Sequence, residues 1–372
     1  MPLDPLVPAR GDLPAGERRR VSRQLLLDGF GPQAQARLAG ARVLVVGAGG
    51  LGSPALQYLA AAGVGTLGVV DDDVVETSNL QRQVLHGAGD VGRPKTTSAA
   101  ESLRLLNPSV EVVEHVQHLD DATARGMLGG YDVVVDGSDT FATRYAVSDA
   151  AAALGLPVVW GSVLGWDGQV AVWWSAAPGG RSITYPDVFG PRPDAGPDGL
   201  LDGVAESCET VGVLGPACGV VGATMAVEAV KLLTGAGDVA LGRLLVYDAR
   251  TSAWDAVDLA PPAPGAVARG SVQTATAEPR DGTPTASRAA GEPAEGALVL
   301  DVGPVAGTLG DRFEGAVWVR LEDLAAGDYP PELLEHPAHA PVVVVCPTGL
   351  RSRGAARLLV DDGWRDVRPL AR

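Results

Sequence analysis

The sequence predicts an α/β protein: a Rossmann-like, doubly wound mixed sheet over most of the chain, followed by a second, smaller α/β domain. Three observations predict it. Short apolar runs alternate with helix-like stretches across residues 42–260, the pattern of βαβ units around a mainly parallel sheet. The first of these runs opens directly into Gly47-x-Gly49-x-x-Gly52, a glycine turn from strand to helix. A stretch rich in Ala, Pro, Gly, Thr and Glu then separates this region from another set of apolar runs.

The predicted parallel strands are Arg42–Val46, Thr66–Val70, Val110–Val113, Asp132–Val135 and Pro157–Trp160, short runs dominated by β-branched residues. Between them Leu51–Ala62, Lys95–Leu106 and Phe141–Leu154 read as helices. Gln169–Trp174, Arg243–Tyr247 and Trp254–Leu259 alternate polar with apolar side chains, as antiparallel strands that extend the sheet. Ser175–Pro216 is rich in Pro, Gly and Asp and lacks periodicity, so it is expected to be a loop crossing over the site. The expected domains are residues 1–260 and 297–372, joined by a linker at 261–296 that has almost no large apolar side chain to bury. In the small domain, Ala297–Val302, Ala316–Arg320 and Val342–Val345 read as strands and Ser352–Leu359 as a helix. A domain of this size sits near the limit at which one core suffices.

Composition narrows the function. Hydrophobic residues make up 46% and charged residues 20% of the 372 positions, as in folded globular chains. A formal charge of −16 argues against nucleic-acid binding driven by phosphate neutralisation. No run of 18 apolar residues is free of Gly, Pro or charge, and Met1–Arg20 has no apolar signal core, so neither membrane nor export is expected and the location reads as cytoplasmic. The three cysteines Cys208, Cys218 and Cys346 form no Cys-x-x-Cys pair, which leaves no disulfide framework and no structural zinc site of that type.

The glycines Gly47, Gly49, Gly50 and Gly52 permit close backbone approach to a phosphate, whose charge the following helix N-terminus favours. Asp71 closes the next strand, at about 20 residues from the turn, where a carboxylate can accept ribose hydroxyls. A solvated loop over Asp71–Asp73 remains the plain alternative. Next come Ser78-Asn-Leu-Gln-Arg-Gln83, Gly92-Arg-Pro-Lys95 and Asp136-Gly-Ser-Asp139. They bring cations and a carboxylate to the strand ends, where open α/β sheets bind ligands. Hydride transfer needs none of these, whereas adenylation must neutralise a triphosphate. The attacking carboxylate is already ionised at neutral pH and needs no base.

Together with Val21-Ser-Arg23-Gln, these motifs resemble the sulfur-carrier-activating (MoeB/ThiF) enzymes of molybdopterin and thiamine biosynthesis, relatives of ubiquitin-activating enzymes, across residues 17–260. The resemblance implies ATP and Mg²⁺, with Asp71 on ribose, Arg82 and Lys95 on the phosphates, Asp139 on the metal, and Asn79 and Gln83 in support. It also implies a homodimer in which Arg23 reaches the partner's phosphates. A surface arginine at 23 and a solvated helix-start lysine at 95 remain open. Many members carry two Cys-x-x-Cys pairs for zinc; the corresponding segment here is Ile183-Thr-Tyr-Pro-Asp-Val-Phe189 and no pair follows Leu259. Zinc is therefore not expected, as in the fused branch often called MoeZ-like.

Cys208 resembles the family's crossover-loop cysteine, which implies a catalytic thiol that captures the activated acyl group or a transferred sulfur, with an inert loop cysteine as the open alternative; Cys218, inside an apolar helix, reads as core. Val342-Val-Val-Val-Cys346-Pro-Thr-Gly-Leu-Arg351-Ser is an apolar strand, a short loop and a helix start, a setting that stabilises a thiolate or persulfide. It resembles a rhodanese sulfurtransferase, with Cys346 and Arg351 as its catalytic pair. Gly303 and Pro304 stand where Arg-Glu is usual, and the customary final helix is missing. These resemblances imply adenylation of the C-terminal glycine of a small ubiquitin-like sulfur carrier ending in Gly-Gly. Sulfur transfer to a thiocarboxylate follows, with sulfur from thiosulfate or a persulfide-bearing desulfurase. An adenylating enzyme with an inactive tail, or an NAD-dependent oxidoreductase, remains as an alternative.

Overall fold

Runs of Val and Leu that bury both faces of a strand form the centre of the fold. The computed structural model describes residues 3–192, 212–259, 296–303, 313, 315–346 and 350–371, and these fall in two compact units. In the first, the strands are β1 (Arg42–Val46), β2 (Thr66–Val70), β3 (Glu111–His115), β4 (Val133–Asp136), β5 (Val158–Leu164), β6 (Asp167–Trp173), β7 (Arg243–Asp248) and β8 (Ala253–Asp258). The helices are α1 (Ala15–Arg20), α2 (Ser22–Leu25), α3 (Gly31–Gly40), α4 (Gly52–Ala62), α5 (Lys95–Leu106), α6 (Ala124–Leu128), α7 (Phe141–Leu154), α8 (Tyr185–Phe189) and α9 (Gly215–Thr234).

The strand order is β3-β2-β1-β4-β5-β6-β7-β8. The first five run parallel and the last three are antiparallel additions. Every residue of β2 and β4, and all of β1 after Arg42, is buried, as helices on both faces of a parallel sheet require. Chain order reverses between β1 and β4, the switch point at which ligands of such sheets bind.

Helix α9 has 20 residues and a mean hydropathy of 1.5, long and apolar enough to cross a membrane. Here it packs on α4, β5 and β6 instead. The approach is close: a Cβ on Gly222 would come within 2.4 Å of the Leu51 carbonyl oxygen, and one on Gly161 within 2.3 Å of Met225 Sδ.

Most boundaries fall within two residues of the sequence expectation, with one clear difference. β5 continues to Leu164 rather than ending at Trp160, because its hairpin with β6 pairs Leu164 with Asp167. The Ser175–Pro216 segment is more ordered than a bare loop: Trp174 bridges to Ile183, and α8 follows. Its residues 193–211 lie outside those described, and so does the expected linker through residue 295.

The second unit has β9 (Leu298–Asp301), β10 (Val317–Trp318), β11 (Pro341–Cys346) and β12 (Asp366–Ala371), with α10 (Leu321–Ala326), α11 (Pro331–Glu335) and α12 (Leu350–Asp361). Its parallel sheet has the order β10-β9-β11-β12. Leu300, Leu324, Leu333, Val342, Val344 and Leu359 form its core. Strand β12 was not foreseen from sequence; it pairs Ala371 with Cys346 and so covers the outer edge of β11.

Candidate functional site

The register of the sheet assembles the site. Val46 pairs with Val70 on one side and Asp136 on the other, so the segments leaving β1, β2 and β4 emerge side by side. Gly47 N–H donates to Val70 O at 2.8 Å and Gly137 N–H to Val46 O at 3.0 Å. Gly47 has φ 86°, and a Cβ on Gly52 would stand 1.7 Å from the Gly47 carbonyl oxygen. Only glycine at 52 lets the chain turn this tightly into α4.

Asp71 holds the turn. Its Oδ2 accepts the Ala48 N–H at 2.8 Å and its Oδ1 the Asp73 N–H at 2.9 Å. Burial pushes its carboxyl pKa up, against the opposing pull of Lys95.

Residues 73–75 and 92–95 pair through a Val74–Pro94 bridge and the Lys95 N–H to Asp73 O bond of 3.0 Å. That pairing sets Lys95 at the start of α5 with Nζ 2.7 Å from Asp73 Oδ2. Its side chain is 8% exposed, so the solvated helix-start reading of Lys95 is wrong.

Between these segments a turn over residues 79–83 lies across the glycines. Arg82 donates to Ser78 O at 3.1 Å, and its Cγ and Cδ pass 3.5 Å from the Cβ position of Gly50. Gln83 is 4% exposed. Its Nε2 lies 3.6 Å from the Cβ position of Gly49, and its Oε1 is buried with no hydrogen-bond partner. Asn79 caps the turn, its Oδ1 accepting the Glu76 N–H at 3.3 Å.

Asp139 is exposed on the neighbouring segment after β4. Asp136, before it, is buried and accepts the Ser138 N–H at 3.0 Å; burial raises its carboxyl pKa. Thus Gly47, Gly49, Gly50, Gly52, Asp71, Asn79, Arg82, Gln83, Lys95 and Asp139 share one edge of the sheet.

Arg23 is not among them. Its neighbour Gln24 donates to Ala62 O at 3.1 Å, which puts α2 at the far end of α4, about 15 Å along that helix from Gly52. Cys208 lies outside the described residues. Cys218 is buried as expected for core, but its Sγ comes within 3.2 Å of the Gly50 Cβ position.

Two polar residues at this edge were missed from sequence. Arg144 donates twice to Ser138 O, at 3.2 and 3.1 Å, and once to Ser162 Oγ at 3.3 Å. Its guanidinium lies 5.5 Å from the Trp160 ring centroid and near Tyr185, whose phenol pKa burial pushes up to about 12 against the pull of the Arg144 charge. His86 bonds Ala48 O and Ser98. Neither sits in a recognisable spacing, so only tertiary contact reveals them.

In the second unit, Cys346 ends β11 fully buried. The Ser352 N–H, in the first turn of α12, donates to Cys346 Sγ at 3.3 Å, and Ser352 Oγ donates to Leu370 O at 2.9 Å. Arg351 lies beside Ser352 in that same turn. Residues 347–349, between thiol and helix, lie outside those described.

The sheet order and the glycine turn define a Rossmann-type α/β protein with an antiparallel extension. The model of the ThiF family matches residues 21–267, and the chain belongs to the ThiF family. It is 49% identical over 247 residues to a probable adenylyltransferase/sulfurtransferase MoeZ of Mycobacterium tuberculosis, covering 66% of this chain and 61% of that one. It is 47% identical to a sulfur carrier protein adenylyltransferase of Thermus thermophilus, over 63% of this chain and 84% of that one. The fold is shared with MccB of E. coli, solved with AMPCPP and MccA, at a TM-score of 0.58 and 21% identity over 68% of this chain and 75% of that one. The chain thus spans less than two thirds of the MoeZ relative it matches.

Proposed function

We propose that this chain is an adenylyltransferase with sulfurtransferase activity, which adenylates the C-terminal glycine of a ubiquitin-like sulfur carrier and converts it to a thiocarboxylate. One observation carries this reading: the glycine turn, Asp71, Arg82, Lys95 and Asp139 converge on one sheet edge, beside a buried Gln83 oxygen that lacks a partner. The names of the MoeZ and sulfur-carrier relatives support it.

These residues fit a nucleoside triphosphate. The glycine turn and the α4 N-terminus offer N–H groups to phosphate; Asp71 would meet ribose, and Arg82 and Lys95 the anionic oxygens. Asp139, with its exposed carboxylate, would hold Mg²⁺, which supplies further neutralisation of the triphosphate. The carrier's ionised carboxylate attacks the α-phosphorus. A new P–O bond forms, the α–β bridge breaks and pyrophosphate leaves. Arg23, remote from the site of its own chain, would serve a partner's site in a homodimer.

The second unit resembles a rhodanese. Thiosulfate or a persulfide-bearing desulfurase would load Cys346 as a persulfide, which the Ser352 N–H stabilises. The persulfide attacks the acyl carbon and AMP leaves. A second thiol, such as Cys208, then cleaves the acyl disulfide, releasing the thiocarboxylate and leaving a protein disulfide. Tethering both units on one chain raises their effective concentration.

The test is the intact mass of carriers ending in Gly-Gly after incubation with the protein, ATP, Mg²⁺ and thiosulfate, with Asp139→Ala and Cys346→Ala alongside. The expected result is an oxygen-to-sulfur change with the unmodified chain only. Conversion without ATP refutes adenylation, and conversion by Cys346→Ala refutes the persulfide step.

A further inference from the structure

Ala48, inside the glycine turn, is held on both sides. Its N–H donates to Asp71 Oδ2 at 2.8 Å. Its carbonyl meets Ser53 Oγ and His86 Nε2, each at 3.0 Å. A carbonyl only accepts, so His86 carries its proton on Nε2. Nδ1 faces Ser98 Oγ at 2.8 Å and accepts the hydrogen bond of its O–H. Both residues are buried, His86 at 6% and Ser98 at 1% exposure. Burial lowers the imidazole pKa, against the pull of the Ala48 hydrogen bond and with the charge of Lys95 adding to it. Tautomer and ring orientation are thereby fixed.

The peptide between Ala48 and Gly49 is trans, as no cis bond occurs among the described residues. In a trans peptide the N–H of Gly49 points opposite to the carbonyl of Ala48. Whatever fixes that carbonyl therefore aims the Gly49 N–H at the opposite side of the turn. A flipped peptide would present an oxygen where a phosphate needs a donor.

We propose that His86 is a positioning residue of the nucleotide site: its Nε2–H locks the Ala48–Gly49 peptide so that the Gly49 N–H faces the bound phosphates. This rests on the ATP-binding reading above. His86 touches no substrate and acts through the glycine turn, with Ser98 as its orienting partner.

Calorimetric titration with ATP tests the assignment on the full chain, with unfolding midpoints measured in parallel. His86→Phe, which keeps ring shape and loses the donor, should weaken ATP binding about tenfold. His86→Gln retains an N–H at the same reach and should stay within about twofold of the unmodified chain. Ser98→Ala, which frees the tautomer, should weaken binding about threefold. Unchanged affinity in a folded His86→Phe overturns the proposal, as does His86→Gln binding as poorly as His86→Phe. Should His86→Phe not fold, Ser98→Ala decides, and unchanged affinity there overturns it. If the unmodified chain fails to bind ATP, the adenylation reading falls and takes this one with it. Normal binding combined with an indifferent His86 removes this inference alone.

Discussion

Lys95 Nζ lies 2.7 Å from Asp73 Oδ2, with the lysine side chain 8% exposed and the aspartate 68% exposed. A cation at the first position of a helix opposes the macrodipole, and burial adds a desolvation cost. Asp73 and the nearby Asp71 offset part of that cost. On the proposed reading, this lysine serves the phosphates, an anion more negative than a single carboxylate. Lys95→Met should leave the urea midpoint unchanged or higher while weakening ATP binding about a hundredfold, the loss typical when one partner of a buried charge contact is removed. Retained ATP affinity in this variant counts against the phosphate role.

The glycine turn gives a contrast between two substitutions. At Gly52 a Cβ meets the Gly47 carbonyl oxygen at 1.7 Å, a backbone atom that cannot rotate aside, whereas at Gly89 nothing lies within 4 Å. Gly52→Ala should cost about 3 kcal/mol or more in denaturant unfolding. Gly89→Ala should be neutral or stabilising by about 0.5 kcal/mol. Equal midpoints for the two variants would contradict the tight turn.

Stability should also depend on pH through Asp136. Burial raises its folded pKa above the ordinary carboxylate value that the unfolded chain keeps. Between those two values the native state keeps a proton that the unfolded chain has released, so stability falls as pH rises through that interval. Asp136→Asn removes this contribution, and its urea midpoint from pH 4 upward should run flatter than that of the unmodified chain. A parallel or steeper fall excludes Asp136 as the source.

The segment Tyr185–Phe189, where no zinc is expected, is held by aromatic packing. Tyr185 and Phe189 stack with ring centroids 4.5 Å apart, and Trp160 meets Tyr185 at 5.6 Å. Metal chelators should leave the melting temperature unchanged, while Tyr185→Ala, at a site 1% exposed, should cost about 3 kcal/mol. Loss of stability on chelation, with stoichiometric zinc by elemental analysis, would reverse this assignment.

Cys346 offers a prediction independent of ATP. Incubated with thiosulfate, the unmodified chain should gain the mass of one sulfur atom, and Cys346→Ala should gain none. Ser352→Pro removes the N–H that donates to Sγ at 3.3 Å and should reduce loading at least about tenfold. Undiminished loading without that donor would show that the helix start does not stabilise the persulfide.

Local sequence pattern carried the frame of the fold. Periodicity placed β1, β2, α5 and α7 at their observed limits, because a buried parallel strand must be apolar throughout and each helix must turn one face inward. Fixed spacing also carried the glycine turn, Asp71 and Asp139, since a strand-to-helix turn pins residues within a few positions of a strand end. Tertiary structure alone decided the contacts that depend on register across the sheet. His86 comes to Ala48 across 38 residues of chain. Arg144 reaches Ser162 across the gap between α7 and β5, and strand β12 closes over Cys346 at the edge of β11. Each such contact joins segments remote in sequence, and no local pattern of hydrophobicity or spacing encodes which remote partner a side chain will meet.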